Sequence, residues 1–78
     1  MPPEPIALTP RQQAVLSLIA QGFTNREVAS RLRISARTVE VHRFSLMQRL
    51  RAHNAAQLLR QAFLSGLLKK ADISGKGV

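Results

Sequence analysis

Between Leu8 and Leu68 the apolar residues recur at helical spacing and never settle into the two-residue alternation of a strand. Val15, Leu16, Leu18 and Ile19 form one inward stripe, Val28, Ala29 and Leu32 a second, and Leu58, Leu59 and Ala62 another. Between the last two, Val39, Leu46 and Leu50 follow the i, i+7, i+11 pattern, with His42 and Met47 at the margins. Helix starts punctuate these stripes. Thr9-Pro10-Arg11-Gln12 and Thr24-Asn25-Arg26-Glu27 are capping boxes, while Ser35 and Asn54 stand ready to cap two further helices. All four prolines lie in the first ten residues and no glycine falls between Gly22 and Gly66, so nothing inside the stripes breaks a helix. The pattern predicts an all-α, compact four-helix bundle with helices at about 10–21, 25–33, 36–51 and 55–66. Residues 1–7, rich in proline, read as a flexible arm or linker stub, 8–68 as the domain, and 69–78, with Gly75 and Gly77, as a disordered tail.

Only Arg33-Ile34-Ser35 joins the second and third helices, a connection short enough to make them cross steeply as in a helix-turn-helix. Ile34 is expected to point inward, and small Ala29 to permit close approach. The opposite face of the third helix then carries Arg37, Val41, Phe44 and Gln48 with no core to pack on. A Val and a Phe between an Arg and a Gln are unusual on a purely solvated face. They suit the major groove of a duplex.

Charge sharpens the picture. Twelve Lys and Arg stand against four acids, for a formal net charge of +8, and nine of the twelve bases are Arg, whose planar fork matches phosphate and guanine edges. On charge alone, a polyanionic partner and a merely solubilising basic surface weigh equally. Position favours the first: seven Arg lie between Arg26 and Arg51, accompanied only by Glu27 and Glu40. The chain has no Cys, and with His42 and His53 as its only histidines it offers no plausible metal site. Ser, His and acidic residues fall on the predicted helices without forming a triad around a pocket, which argues against an enzyme. The apolar runs are far shorter than the ~20 residues a bilayer span needs. A membrane-active basic peptide is disfavoured as well, since the charge sits among capped, core-forming helices.

The blocks Leu8-Thr9-Pro10-Arg11, Thr24-Asn25-Arg26-Glu27-Val28-Ala29, Ile34 to Arg43 and Gly66-Leu67-Leu68 resemble, in order and spacing, the LuxR/FixJ/NarL type of helix-turn-helix domain. Thr38-Val39-Glu40-Val41-His42-Arg43 is particularly similar to the FixJ branch of response regulators. The resemblance implies a third helix that enters the major groove, a fourth that mediates dimer contacts, and a receiver or ligand-sensing domain ahead of it in full-length members. The chain departs from the common pattern at Gln12 and Ala14, where acids are usual, at Arg51, where Gly is common, at Ala55, where Arg is frequent, and at Phe44, where small or basic residues are common.

The expected function is sequence-specific binding of double-stranded DNA as the effector domain of a bacterial transcription regulator, in the cytoplasm on the nucleoid. No cofactor, membrane or small-molecule ligand is expected, and RNA polymerase is a candidate further partner. Arg37, Glu40, Val41 and Phe44 are the candidate base readers. Val41 complements a thymine methyl, Phe44 presses on another or shields the interface, and Glu40 accepts from a cytosine amino group or repels phosphate to fix register. Thr24, Asn25, Arg26, Ser35, Thr38, Arg43 and Gln48 are candidate phosphate contacts, two of them at helix starts with free N–H groups. Thr24 and Glu27 also have a plain role as caps, His42 as a packed histidine, and Arg43 as an intramolecular partner. Ala56, Phe63 and Leu67 form a second apolar stripe on the fourth helix, expected to meet a twofold partner as a homodimer on paired half-sites. The competing reading is a protein-interaction module that grips its partner with the exposed face of the third helix.

Overall fold

Each helix begins where a side chain satisfies the orphan amides of its first turn. In the computed structural model, which describes residues 7–68, α1 spans Pro10–Ala20, α2 Asn25–Leu32, α3 Ala36–Arg49 and α4 Ala55–Leu64. The Thr9 hydroxyl accepts from the Gln12 amide at 3.1 Å while the Thr9 amide donates to Gln12 Oε1 at 3.1 Å. Thr24 and Glu27 repeat this reciprocal box at 3.2 and 3.0 Å. Ser35 Oγ caps α3 at the Thr38 amide (3.0 Å) and Asn54 Oδ1 caps α4 at the Gln57 amide (2.8 Å). Caps of this kind stabilise by about 1 kcal/mol each. The expectations for residues 1–6 and 69–78 lie outside the described residues.

The ends arrive slightly earlier than the periodicity suggests. Gly22, at φ +93°, turns the chain after α1, and Gly66, at φ +77°, does so after α4. These are conformations glycine adopts at little cost. At the ends of α2 and α3 the same left-handed turn is made by Arg33 (φ 57°) and Arg51 (φ 53°). The third helix therefore closes at Arg49, with Leu50 as its cap.

The predicted stripes converge on one core. Val15, Leu16, Val28, Val39, Leu46, Leu58 and Ala62 are completely buried, joined by Ile19, Ala29, Leu50, Ala52 and Leu68. The turn between α2 and α3 occupies three residues, and its Ile34 amide donates to the Ala29 carbonyl at 3.0 Å while the Ile34 side chain packs against the core. That turn gives the pair its helix-turn-helix arrangement. Two longer ties brace the ends of the domain. Gln13 Nε2 donates to the Leu67 carbonyl at 2.9 Å, and Arg49 Nη2 to the Ala7 carbonyl at 2.6 Å.

Candidate nucleic-acid interface

With Val39 and Leu46 fully buried, α3 has its opposite side in solvent. On that side Val41 is 52% exposed and Phe44 63% exposed. Arg37, Glu40, Val41 and Phe44 line one shallow hollow together, so the four candidate base readers are brought to a single surface. Two exposed apolar side chains at the centre of a basic surface lose nothing structurally by leaving water, and methyl groups and aromatic edges are what a groove lined by thymine methyls accepts.

Within this hollow Arg37 Nη1 lies 3.5 Å from Glu40 Oε2, an i, i+3 pair with side chains 83% and 54% exposed. So exposed a pair contributes well under about 1 kcal/mol, and phosphate or base groups can compete for either partner. The spacing is legible in the sequence, although each residue is read there as an independent contact.

The candidate phosphate contacts fall into three groups, one exposed and two bonded within the domain. Arg26 and Gln48 are exposed and have no side-chain partner among the described residues. Thr24 and Ser35 act as caps, and Ser35 Oγ lies 2.8 Å from Thr38 Oγ1. Asn25 and Arg43 are partly buried and bonded to each other, Arg43 Nη1 donating to Asn25 Oδ1 at 2.8 Å across the junction of α2 and α3. This bond ties α3 to α2 beside the buried Val39 and Leu46, which set the side of α3 that faces outward. Removing either partner should destabilise the domain, and a double-mutant cycle of Asn25→Ala with Arg43→Ala should give a coupling of about 0.5–3 kcal/mol in urea melts. Additive losses would mean that the bond does not tie the helices together.

The remaining arginines are distributed unevenly. Arg11 donates to the Leu32 carbonyl at 3.3 Å and Arg31 stacks over the Phe23 ring at 4.0 Å, so both serve the fold. Arg33, Arg51 and Arg60 have no partner among the described residues. Sequence reasoning passed over Arg51, which lines a second hollow with Phe44, Met47, Gln48, Ala52 and His53. Its basic side chain just past the end of the third helix, fourteen residues after Arg37, was the available signal.

On α4, Leu58 and Ala62 face the core while Ala56, Phe63 and Leu64 are exposed, Phe63 to 47% and Leu64 to 70%. Leu67 lies beyond the end of α4, packed against the core, with its amide donating to the Ala62 carbonyl at 2.9 Å. No described helix is long and apolar enough to cross a membrane.

A family model described as "Bacterial regulatory proteins, luxR family" matches residues 6–62. Over 54 residues, 69% of the chain, the sequence is 46% identical to the tetrathionate response regulatory protein TtrR of Salmonella typhimurium, covering 26% of that protein. It is 42% identical over 60 residues to the uncharacterized response regulatory protein YgeK of Escherichia coli, covering 77% of the chain and 41% of the relative. Identity to the transcriptional regulatory protein FixJ of Rhizobium meliloti is 41% over 59 residues, 76% of the chain and 29% of the relative. The chain thus spans only about a quarter to two fifths of the length of these relatives.

Proposed function

The chain belongs to the LuxR family of bacterial regulatory proteins and is a DNA-binding domain of that type, not an enzyme; from that premise we propose that it reads duplex DNA by laying the first turns of α3 in the major groove. The observation that carries the proposal is the surface of Arg37, Glu40, Val41 and Phe44, apolar at its centre and charged at its end, on the side of α3 turned away from the core. Val41 and Phe44 meet thymine methyls, and Glu40 accepts from a cytosine amino group or holds phosphate off to set register. Arg26, with the helix starts at Thr24 and Ser35, contacts phosphate and sets depth. Competition distinguishes the groove. Methyl green, which occupies the major groove, should displace the domain from a labelled duplex, and netropsin, which occupies the minor groove, should not. The reverse order would move the contact to the minor groove, and failure to bind any duplex would assign the stripe to a protein partner.

The same reading makes the domain the effector of a transcription regulator acting on the bacterial nucleoid, with RNA polymerase as a further partner. It also makes the domain a homodimer on DNA. Exposed Phe63 and Ala56, with Leu64 on the same helix, leave more apolar surface on α4 than one packed face requires. Half-sites then lie about 10 bp apart centre to centre. Phe63→Ala should keep the parent's melting temperature and bind a single half-site unchanged while losing cooperativity on a paired site. Undiminished cooperativity would remove Phe63 from the dimer contact.

A further inference from the structure

We propose that Arg51 is a phosphate-binding residue that anchors the far end of α3 on DNA, an extension that rests on the α3 reading above. The first observation is continuity of surface. Phe44 lines both hollows, so the one that holds Arg37 adjoins the one that holds Gln48, Arg51 and His53. The two differ in whether a carboxylate lies beside the arginine. Arg37 has Glu40 at 3.5 Å, whereas Arg51 has no carboxylate or other partner among the described residues.

The second observation is conformational. Arg51 sits at φ 53°, the left-handed region that a side chain with a Cβ rarely adopts. The turn itself does not need this side chain. Its bonds are made by backbone amides, Arg51 N–H to the Gln48 carbonyl at 3.3 Å and Ala52 N–H to the Met47 carbonyl at 2.8 Å, and a glycine makes them equally well. The backbone thus sets this conformation, as it does at Arg33 after α2, and it leaves the exposed, unpartnered Arg51 side chain free for a contact outside the fold.

Dimensions indicate that use. The fourteen residues of α3 extend about 21 Å at 1.5 Å per residue, while the major groove is about 12 Å wide. With the first turns deep in the groove, the last turns must climb over one of its walls, and those walls are rows of phosphates. Arg51 and the neighbouring Gln48 amide stand at the end that climbs out.

The test measures melting temperature and the salt dependence of binding to a labelled random-sequence duplex, for the parent chain, Arg51→Gly, Arg51→Gln and Arg51→Lys. Arg51→Gly should melt at or above the parent temperature yet bind about fivefold more weakly near 0.15 M salt, with the log–log slope shallower by about 0.9 per monomer. Arg51→Gln, which keeps a side chain in the same turn, should show the same loss of slope, and Arg51→Lys should retain the parent slope. A merely structural arginine cannot raise stability and lower DNA affinity on the same replacement by glycine. Parent-like affinity and slope in both Arg51→Gly and Arg51→Gln would overturn the proposal while leaving the α3 reading intact. A parent chain that binds no duplex would overturn both.

Discussion

Raising salt from about 50 to about 200 mM should weaken binding to any duplex by about 10²- to 10³-fold per monomer. The magnitude follows from about 4–6 neutralised phosphates, each contributing about −0.9 to the slope of log affinity on log salt. Nine arginines and two carboxylates, Glu27 and Glu40, carry the formal charge of the side chains in the described region, and Glu27 is committed to the α2 capping box. The uncompensated charge is therefore large for so small a surface. Arg26→Ala should lower affinity for all sequences alike and flatten the slope by about one contact, because an exposed arginine without an internal partner has nothing else to lose. A loss confined to one operator would reassign Arg26 to base reading. A flat salt response in the parent would remove phosphate contact from the account altogether.

The second large effect separates the two sides of α3. Leu46→Ala should cost about 2–5 kcal/mol of stability, since the side chain is completely buried at the centre of the core. For a domain of this size that is a large share of the total, and the variant should be substantially unfolded near physiological temperature. Val41→Ala, five residues earlier on the same helix, removes two methyl groups from a residue 52% exposed and should leave the melt within about 0.5 kcal/mol of the parent. Its effect should appear in base preference, as a change of about 1–3 kcal/mol at one position of the site. Glu40→Ala should change preference at a neighbouring position by a similar amount and, by freeing Arg37, should not weaken non-specific binding. If Val41→Ala instead lowers the melting temperature and weakens every sequence equally, Val41 belongs to the core and α3 does not read bases with it.

The helix starts were legible because Thr9, Thr24, Ser35 and Asn54 act through local hydrogen bonds that depend only on sequence spacing. The core was legible for the same reason, as periodicity alone separates Val39 and Leu46 from Val41 and Phe44. The ends of α2 and α3 were less so. Arginine is no marker of the left-handed turn, and Arg33 and Arg51 take it up because Ile34 and Ala52 must swing back against the core. Leu67 was placed on the α4 stripe by its spacing from Ala56 and Phe63, but the turn at Gly66 ends the helix first and directs it inward. The bond between Arg43 and Asn25 spans two helices, so its existence depends on a rotation that no single-helix pattern encodes. Hence the candidate base readers emerge together on one surface, whereas the phosphate set divides into free and internally bonded members.

Whether α3 reads bases is decided by selecting bound sequences from a random duplex pool, in parallel for the parent and for Val41→Ala. The parent should enrich one motif, paired at a spacing of about 10 bp where two copies bind, and Val41→Ala should change the base at one position of each half-site while the rest of the motif persists. Enrichment of no motif by the parent, or of an identical motif by both proteins, would contradict the assignment of α3 as the reading helix.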